Sequence, residues 1–281
     1  MFINKLNFYN NNGFVVFKKV IPKNIILNFQ KDVFFASKAL YFKYSKLGNP
    51  KVISFSSKNF DEYLLLARKE NLSVVCKSIY DLCKKITSVY QIIAYKKVQK
   101  LIKKIIGTNT PAVLYRGISV RIDYPGDKYY KAKLHTDYHS QLGSQNGLVM
   151  YVSVKKVTDK MGPVILYNKS HSFGVHDVMV DLKKVKKGLT YDPYWLNISK
   201  KKLNSYKKSK LLIDEGDVGF FNMNLLHESG WNSTKNKIRW AIVIRYFDLK
   251  SPTALDMDFK GGQHEGNIYS FKDGKISHKH K

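Results

Sequence analysis

The sequence predicts a mainly β core of sandwich or jelly-roll type behind a helical scaffold, and three observations carry that reading. From Pro111 onward, short β-branched and aromatic runs follow one another: "AVLYRGISVRIDY", "KAKLHTDYH", "GLVMYVSVKKV", "GPVILYN", "GDVGFFNMNLLH" and "IRWAIVIRYFD". Turn residues punctuate them at Pro125-Gly126, Gly143, Gly162-Pro163, Gly216-Asp217 and Asn232-Ser233. Six or more short strands at such spacing close into an antiparallel sandwich or jelly roll. Before Pro111, by contrast, apolar residues recur at three- and four-residue intervals, the period of helices packed on one side.

Along the chain, "NGFVVFKKVI" (12–21) reads as a turn and a short strand. Pro22 is suited to opening a helix, and "KNIILNFQKDVFFASKAL" continues with helical apolar spacing. "SSKNFDEYLLLARKE" starts with a serine cap and carries acids in the first turn, which predicts a further helix. From Leu72 to Ile106 the apolar positions keep the helical period, and Gly107 is placed to end it as a C-cap. Between about 172 and 210 lies a lysine-rich insertion, long enough to be either a functional loop, in which Tyr191, Tyr194 and Trp195 could cover a ligand, or a flexible solvated one. No second domain boundary is visible. We therefore expect one unit over 1–281: scaffold 1–107, jelly-roll core 108–250 with the 172–210 insertion, and a polar tail 251–281 whose His278 and His280 belong to a frayed end.

Composition excludes several classes. No apolar run approaches the roughly 18 residues of a membrane helix, and the N-terminal segment has no apolar core or cleavage site of a secretion signal. Cys76 and Cys83 lie seven apart on a helical stretch, roughly 10 Å by helix rise, too far to bridge. Reduced thiols and no leader predict a cytoplasmic protein without a membrane partner. The net charge of +28 invites a nucleic-acid partner, but only five of the 49 basic residues are arginine and the lysines are spread along the whole chain. The charge is a drift in composition, and what survives is a field that favours small anionic substrates. Where lysine is used almost everywhere, the arginines Arg68, Arg116, Arg121, Arg239 and Arg245 are candidates for the bidentate carboxylate pairing that lysine does badly.

The chemistry-bearing pattern is His135-Thr-Asp137 in "KLHTDYH". On a strand, residues two apart share a face, so both side chains could reach one cation. His227, delivered by the run after Gly216-Asp217, supplies a third donor. Two histidines and a carboxylate with open positions form the facial triad of non-haem Fe(II) oxygenases, although zinc would accept the same donors with a water. Arg239, twelve residues beyond His227, favours iron with 2-oxoglutarate, because that co-substrate chelates the metal at one end and needs its far carboxylate held by a guanidinium at the other. Arg245 shares its face and is expected to be a structural salt-bridge partner; Arg121 shares parity with Asp123, and Arg116 does not.

These residues resemble the phytanoyl-CoA dioxygenase family, from "GFVVF" near the start to "RYFD" at 245–248. The resemblance implies a double-stranded β-helix, a cupin-like jelly roll with packed N-terminal helices, in an Fe(II)- and 2-oxoglutarate-dependent dioxygenase. It implies His135, Asp137 and His227 as catalytic metal ligands, Arg239 and Ser229 on the co-substrate's far carboxylate, and Tyr151 lining the co-substrate pocket. The cofactors implied are Fe(II), 2-oxoglutarate and dioxygen, with release of succinate and CO2. A carboxylate at 137 favours hydroxylation, or a desaturation or ring-forming variant, over the halogenation of relatives that carry a small residue there. "GPVILYNKSH" departs from the family's pattern, with Asn168-Lys169 where Pro-Gly is usual, and His171 is read as structural. His139 is a near miss for the metal. Two alternatives are weighed: an AlkB-like nucleic-acid demethylase, disfavoured by the 92-residue interval between His135 and His227, and a non-catalytic jelly-roll binding protein, disfavoured because neither a ligand nor the arginine is missing.

Overall fold

The strand β10 (Arg239–Asp248) explains the architecture, because its two faces do different work. Even-numbered side chains, Trp240, Ile242, Ile244 and Tyr246, join one buried cluster with the N-terminal helices. Odd-numbered Ala241, Val243 and Phe247 join a second cluster on the opposite face. The period-2 alternation of a strand thus produces two cores from one segment, both sealed from water. The computed structural model describes residues 2–47, 52–128, 131–181, 183, 194–262 and 267–280.

The scaffold comprises α1 (Phe2–Asn12), β1 (Phe14–Phe17), α2 (Lys23–Tyr44), α3 (Glu62–Lys69), α4 (Ser73–Cys83), α5 (Thr87–Ala94) and α6 (Lys96–Ile106). Helix α2 opens behind Pro22 as expected, and α6 ends on Gly107 in the left-handed conformation, whose N–H donates to Lys103. Two expectations need correction. The periodic stretch 72–106 is three helices, because the chain turns at Lys84–Ile86 and again at Tyr95, where extended backbone interrupts the helix. The serine cap of "SSKNFDEY" is not used: α3 starts at Glu62 behind Asp61, which is buried and accepts hydrogen bonds from Trp240 Nε1 (2.9 Å) and Lys155 Nζ (2.8 Å) instead of capping the helix.

The core strands are β2 (Pro111–Asp123), β3 (Leu148–Ser153), β4 (Val164–Tyr167), β5 (Val178–Val180), β6 (Tyr194–Leu196), β7 (Lys208–Lys210), β8 (Val218–Asn222), β9 (His227–Ser229) and β10. A five-stranded antiparallel sheet runs β1-β8-β3-β10-β2 and a three-stranded sheet runs β7-β4-β9. The second cluster collects Val149, Tyr151, Phe221, Ala241 and Val243 from the first sheet and Val164 and Leu166 from the second, so the two sheets face each other across it. This is the predicted jelly roll. Its wall outside is the helical layer, with Phe29 and Phe60 packed against Trp240.

The expected polar tail is a hairpin: β11 (Ile268–Lys272) and β12 (Lys275–His280) join β5 and β6 in a third sheet. His280 accepts the Ser270 hydroxyl or donates to it at 2.7 Å and packs edge-on to His278. These two histidines are strand residues and not a frayed end. Within the 172–210 insertion, β5, β6, a short helix Lys200–Ser205 and β7 are regular, Trp195 is exposed, and Tyr191 lies outside the described residues. Cys76 and Cys83 are unbridged. No helix among the described residues is long and apolar enough to cross a membrane.

Asp61 is one buried carboxylate serving two donors on different layers. Asp61→Ala strands the Lys155 ammonium and the indole N–H, and is expected to cost about 3 kcal/mol in chemical denaturation. A loss under 1 kcal/mol would show that helix–sheet packing does not depend on it.

Candidate metal centre and arginine pocket

Residues 135 and 227 are distant in sequence and joined through their backbones. The His135 N–H donates to the His227 carbonyl and the His227 N–H to the His135 carbonyl, each at 3.0 Å. Opposed residues in such a pair put their side chains on the same side, and the two imidazole centroids lie 4.2 Å apart. Each ring has its Nδ1 against a carbonyl, Lys133 for His135 (2.6 Å) and Leu225 for His227 (2.9 Å). A carbonyl only accepts, so Nδ1 carries the proton and Nε2 the lone pair in both rings.

Asp137 arrives by a different route from the one its spacing suggested. His135 sits in an isolated bridge, and at Asp137 the backbone already turns helical, capping the one-turn helix α7 (Tyr138–Gln141). Strand parity does not hold across that turn. The carboxylate is brought to the histidines by the turn itself and by Arg245, whose Nε donates to Oδ1 at 2.7 Å. Oδ2 is buried without a hydrogen-bond partner and lies 3.5 Å from His227 Nε2. One ligand atom from each of the three residues falls within 4.8 Å of the others.

Electrostatics prepare the three groups for a cation. Desolvation, followed by the neighbouring His227, pushes His135 down to about 3. Burial also lowers His227, against the pull of Asp137. For Asp137, burial works upward, but Arg245 and the two imidazoles outweigh it and hold the carboxyl at about 2. At neutral pH the set is two neutral imidazoles and one carboxylate, with an unsatisfied oxygen facing them. An orphaned buried carboxylate oxygen beside two lone pairs fits a divalent ion.

The same cavity, with an empty volume of about 470 Å³, runs from the triad to Arg239. Arg239 is 2% exposed, its Nη2 lies 2.9 Å from Asp123 Oδ2 and 3.4 Å from Ser229 Oγ, and its Nε and Nη1 have no hydrogen-bond partner. Tyr151 lines the cavity beside it; burial raises its hydroxyl and Arg239 works the other way. Arg121 lines the cavity as well and pairs with Asp123 Oδ1 at 2.9 Å. The donor pattern fits a second, anionic ligand reaching from the triad to Arg239. The turn after His227 is built by Asn232, whose amide donates to the Asp123 and Lys237 carbonyls, and by Gly162 at φ +66°, where a Cβ would meet the 230–232 backbone at about 2.5 Å.

All six predicted residues, His135, Asp137, His227, Arg239, Ser229 and Tyr151, therefore line one cavity. Sequence reasoning missed two more. Asp123 braces the pocket arginines, and its inward parity with Arg121 was its signal. Arg245 is a salt-bridge partner as expected, but its partner is the metal-site carboxylate itself, which no spacing reveals. The others fall away from the site. His139 accepts from the Thr136 hydroxyl and donates to the His176 carbonyl. His171 donates to Asn10. Arg116 is exposed at positive φ. Lys169, where the family pattern has glycine, takes the left-handed conformation (φ +65°), so the turn survives its unusual residue.

Arg245 leaves Asp137 only one oxygen for a metal. Arg245→Leu is expected to weaken Co(II) binding about ten- to a hundred-fold in a spectroscopic titration, with the far-ultraviolet spectrum unchanged; unaltered affinity would assign the arginine a structural role only.

A sequence model of the family described as "Phytanoyl-CoA dioxygenase (PhyH)" matches residues 9–241. No curated protein sequence matches the chain. Among solved structures the chain is similar to the epimerase SnoN in complex with Fe3+, alpha ketoglutarate and nogalamycin RO, at 14% identity over 91% of this chain and 88% of that one, TM-score 0.59. It is similar to the non-heme monooxygenase ThoJ, at 15% identity over 89% and 79%, TM-score 0.55. The apoform of EctD from S. alaskensis matches at 14% identity over 88% and 77%, TM-score 0.53. At this identity the likeness speaks for the jelly-roll fold. With the triad and the family match over residues 9–241, the chain belongs to the phytanoyl-CoA dioxygenase family of iron- and 2-oxoglutarate-dependent oxygenases.

Proposed function

We propose that this enzyme hydroxylates a C–H bond of a small anionic metabolite (a nucleotide-linked or acidic sugar, a CoA thioester or a carboxylated compound) in the cytoplasm, with 2-oxoglutarate converted to succinate and CO2. The observation that carries the reading is the convergence of His135, Asp137 and His227 within 4.8 Å in a cavity whose other end holds the buried Arg239. Fe(II) with 2-oxoglutarate and dioxygen supplies the oxidising chemistry when bound. The chain's own contribution is placement. His135 and His227 offer Nε2 because carbonyls hold their Nδ1 protons; Asp137 offers Oδ2 because Arg245 holds Oδ1. Arg239 and Ser229 fix the far carboxylate of the co-substrate, with the Tyr151 hydroxyl beside them, and Val243, Val164 and Phe221 keep water from the space between. The EctD relative has also been solved with 2-oxoglutarate and 5-hydroxyectoine, a hydroxylated small molecule.

The substrate class rests on charge: the surface carries an excess of lysine, which raises the local concentration of anions. The test is a screen of carboxylated and phosphorylated metabolites for stimulated succinate release with Fe(II) and ascorbate. At least one anionic compound is expected to stimulate it, and a chelator to abolish it. His135→Ala and Asp137→Ala are expected to lose turnover, while Arg239→Ala raises the KM for 2-oxoglutarate about ten- to a hundred-fold, the worth of a charged hydrogen-bonded contact. Metal binding without succinate release under any condition, including uncoupled turnover, would make the chain a binding protein.

A further inference from the structure

A helix of one turn does not hold itself. After Asp137 the chain closes only the single turn α7, and so few hydrogen bonds do not offset the entropy of fixing it. The turn ends at Leu142 in the left-handed conformation (φ +47°), which a residue with a Cβ adopts reluctantly. Arg245 fixes one oxygen of Asp137 but not the backbone that carries it. Support for that backbone comes from residues 253–271. The Tyr138 hydroxyl lies 3.3 Å from the Thr253 hydroxyl, and the Gly262 N–H donates to the Gln141 carbonyl at 2.9 Å. The backbone at Gly262 passes so close that a Cβ there would stand 2.7 Å from the Ser140 carbonyl oxygen. Phe271, buried on β11, packs edge-on with His139 (centroids 4.8 Å apart) and lies 6.3 Å from the Tyr138 ring. All of these supports lie beyond residue 241, where the match to the family ends.

His139 joins these supports to the metal motif. Its buried ring accepts at Nδ1 from the hydroxyl of Thr136, the residue between the ligands His135 and Asp137, at 2.6 Å. At Nε2 it donates to the His176 carbonyl at 2.7 Å. An imidazole with both nitrogens so engaged has no lone pair left for a metal. His176 stands two residues before β5, which pairs with β6 on one side and with β11, at Phe271, on the other. The third sheet, built from the insertion and the C-terminal hairpin, therefore holds His139 twice, by a hydrogen bond and by an aromatic contact.

We propose that His139 and Phe271 are positioning residues for Asp137. With Thr253 and Gly262 they hold α7 in place, so the carboxylate of the metal centre is set by a C-terminal segment outside the part of the chain that matches the family. The proposal rests on the reading of the triad as a metal site. The competing account gives the placement of Asp137 to Arg245 alone and makes the third sheet a cover. A cover that is loosened lowers stability and leaves the metal site of the folded molecules unchanged; a loosened brace weakens the site itself.

The test measures the Co(II) dissociation constant, the intensity of its ligand-field bands and the thermal unfolding midpoint on the full chain. Val75→Ala, in the core of the helical layer, serves as the stability control: it is expected to unfold earlier and to bind Co(II) as wild type does. Phe271→Ala, and His139→Phe, which keeps a ring but loses both hydrogen bonds, are expected to weaken Co(II) about tenfold or more and to change the band intensities. Phe271→Leu, which refills most of the space, should keep most of the affinity. If Phe271→Ala does not fold, Gly262→Ala, whose added methyl presses on the Ser140 carbonyl, takes its place with the same expected loss. A dissociation constant within about threefold of wild type in Phe271→Ala or His139→Phe makes the third sheet a cover and overturns the proposal. So does a Val75→Ala variant that weakens Co(II) equally. Failure of the metal reading looks different: Asp137→Ala would then bind Co(II) as tightly as wild type, and both would fall.

Discussion

A single backbone pairing governs the centre of this protein. His135 and His227 exchange two hydrogen bonds at 3.0 Å across 92 residues of chain, and that exchange sets two imidazoles side by side. Without it, neither the carboxylate of Asp137 nor the guanidinium of Arg245 has a point to converge upon. Peptide geometry positions the two imidazoles, while Asp137 is placed by its turn and by the Arg245 side chain.

The stability of that frame comes from the other side of the same sheet. Trp240, Ile242, Ile244 and Tyr246 are buried against the helical layer, while Arg239, Ala241, Val243 and Arg245 alternate with them toward the cavity. The helices have no part in the chemistry, yet they cover the outer face of the five-stranded sheet and so keep β10 from sliding relative to β2 and β3. A one-residue slip would exchange the two faces and send both arginines into the helical core.

The division between lysine and arginine has a physical logic. Lysines populate the surface, where a hydrated ammonium is content and screening makes each one cheap. The cavity uses guanidiniums, which hold a carboxylate through two parallel donors and remain charged when buried. Asp123 pairs with both Arg121 and Arg239, and Asp137 pairs with Arg245.

The sequence by itself determined the layout and the actors. Period-2 and period-3.6 patterns separated β core from helical scaffold, Gly107 and Gly162 marked true turns, His135, Asp137, His227 and Arg239 were nameable from residue type and order, and Ser229 and Tyr151 followed from the family resemblance. Those are local or type-specific signals, and they survive without coordinates. What only the tertiary structure decided are the partnerships: that Asp137 reaches the histidines through a turn and not along a strand, that Arg245 takes one of its oxygens, that Asp123 joins two arginines, that Asp61 leaves its helix cap for Trp240, and that the polar tail becomes a hairpin. Each depends on which residues face one another across strands far apart in the chain, and pairing of that kind is set by the summed burial of two cores, a quantity that no short stretch of sequence contains.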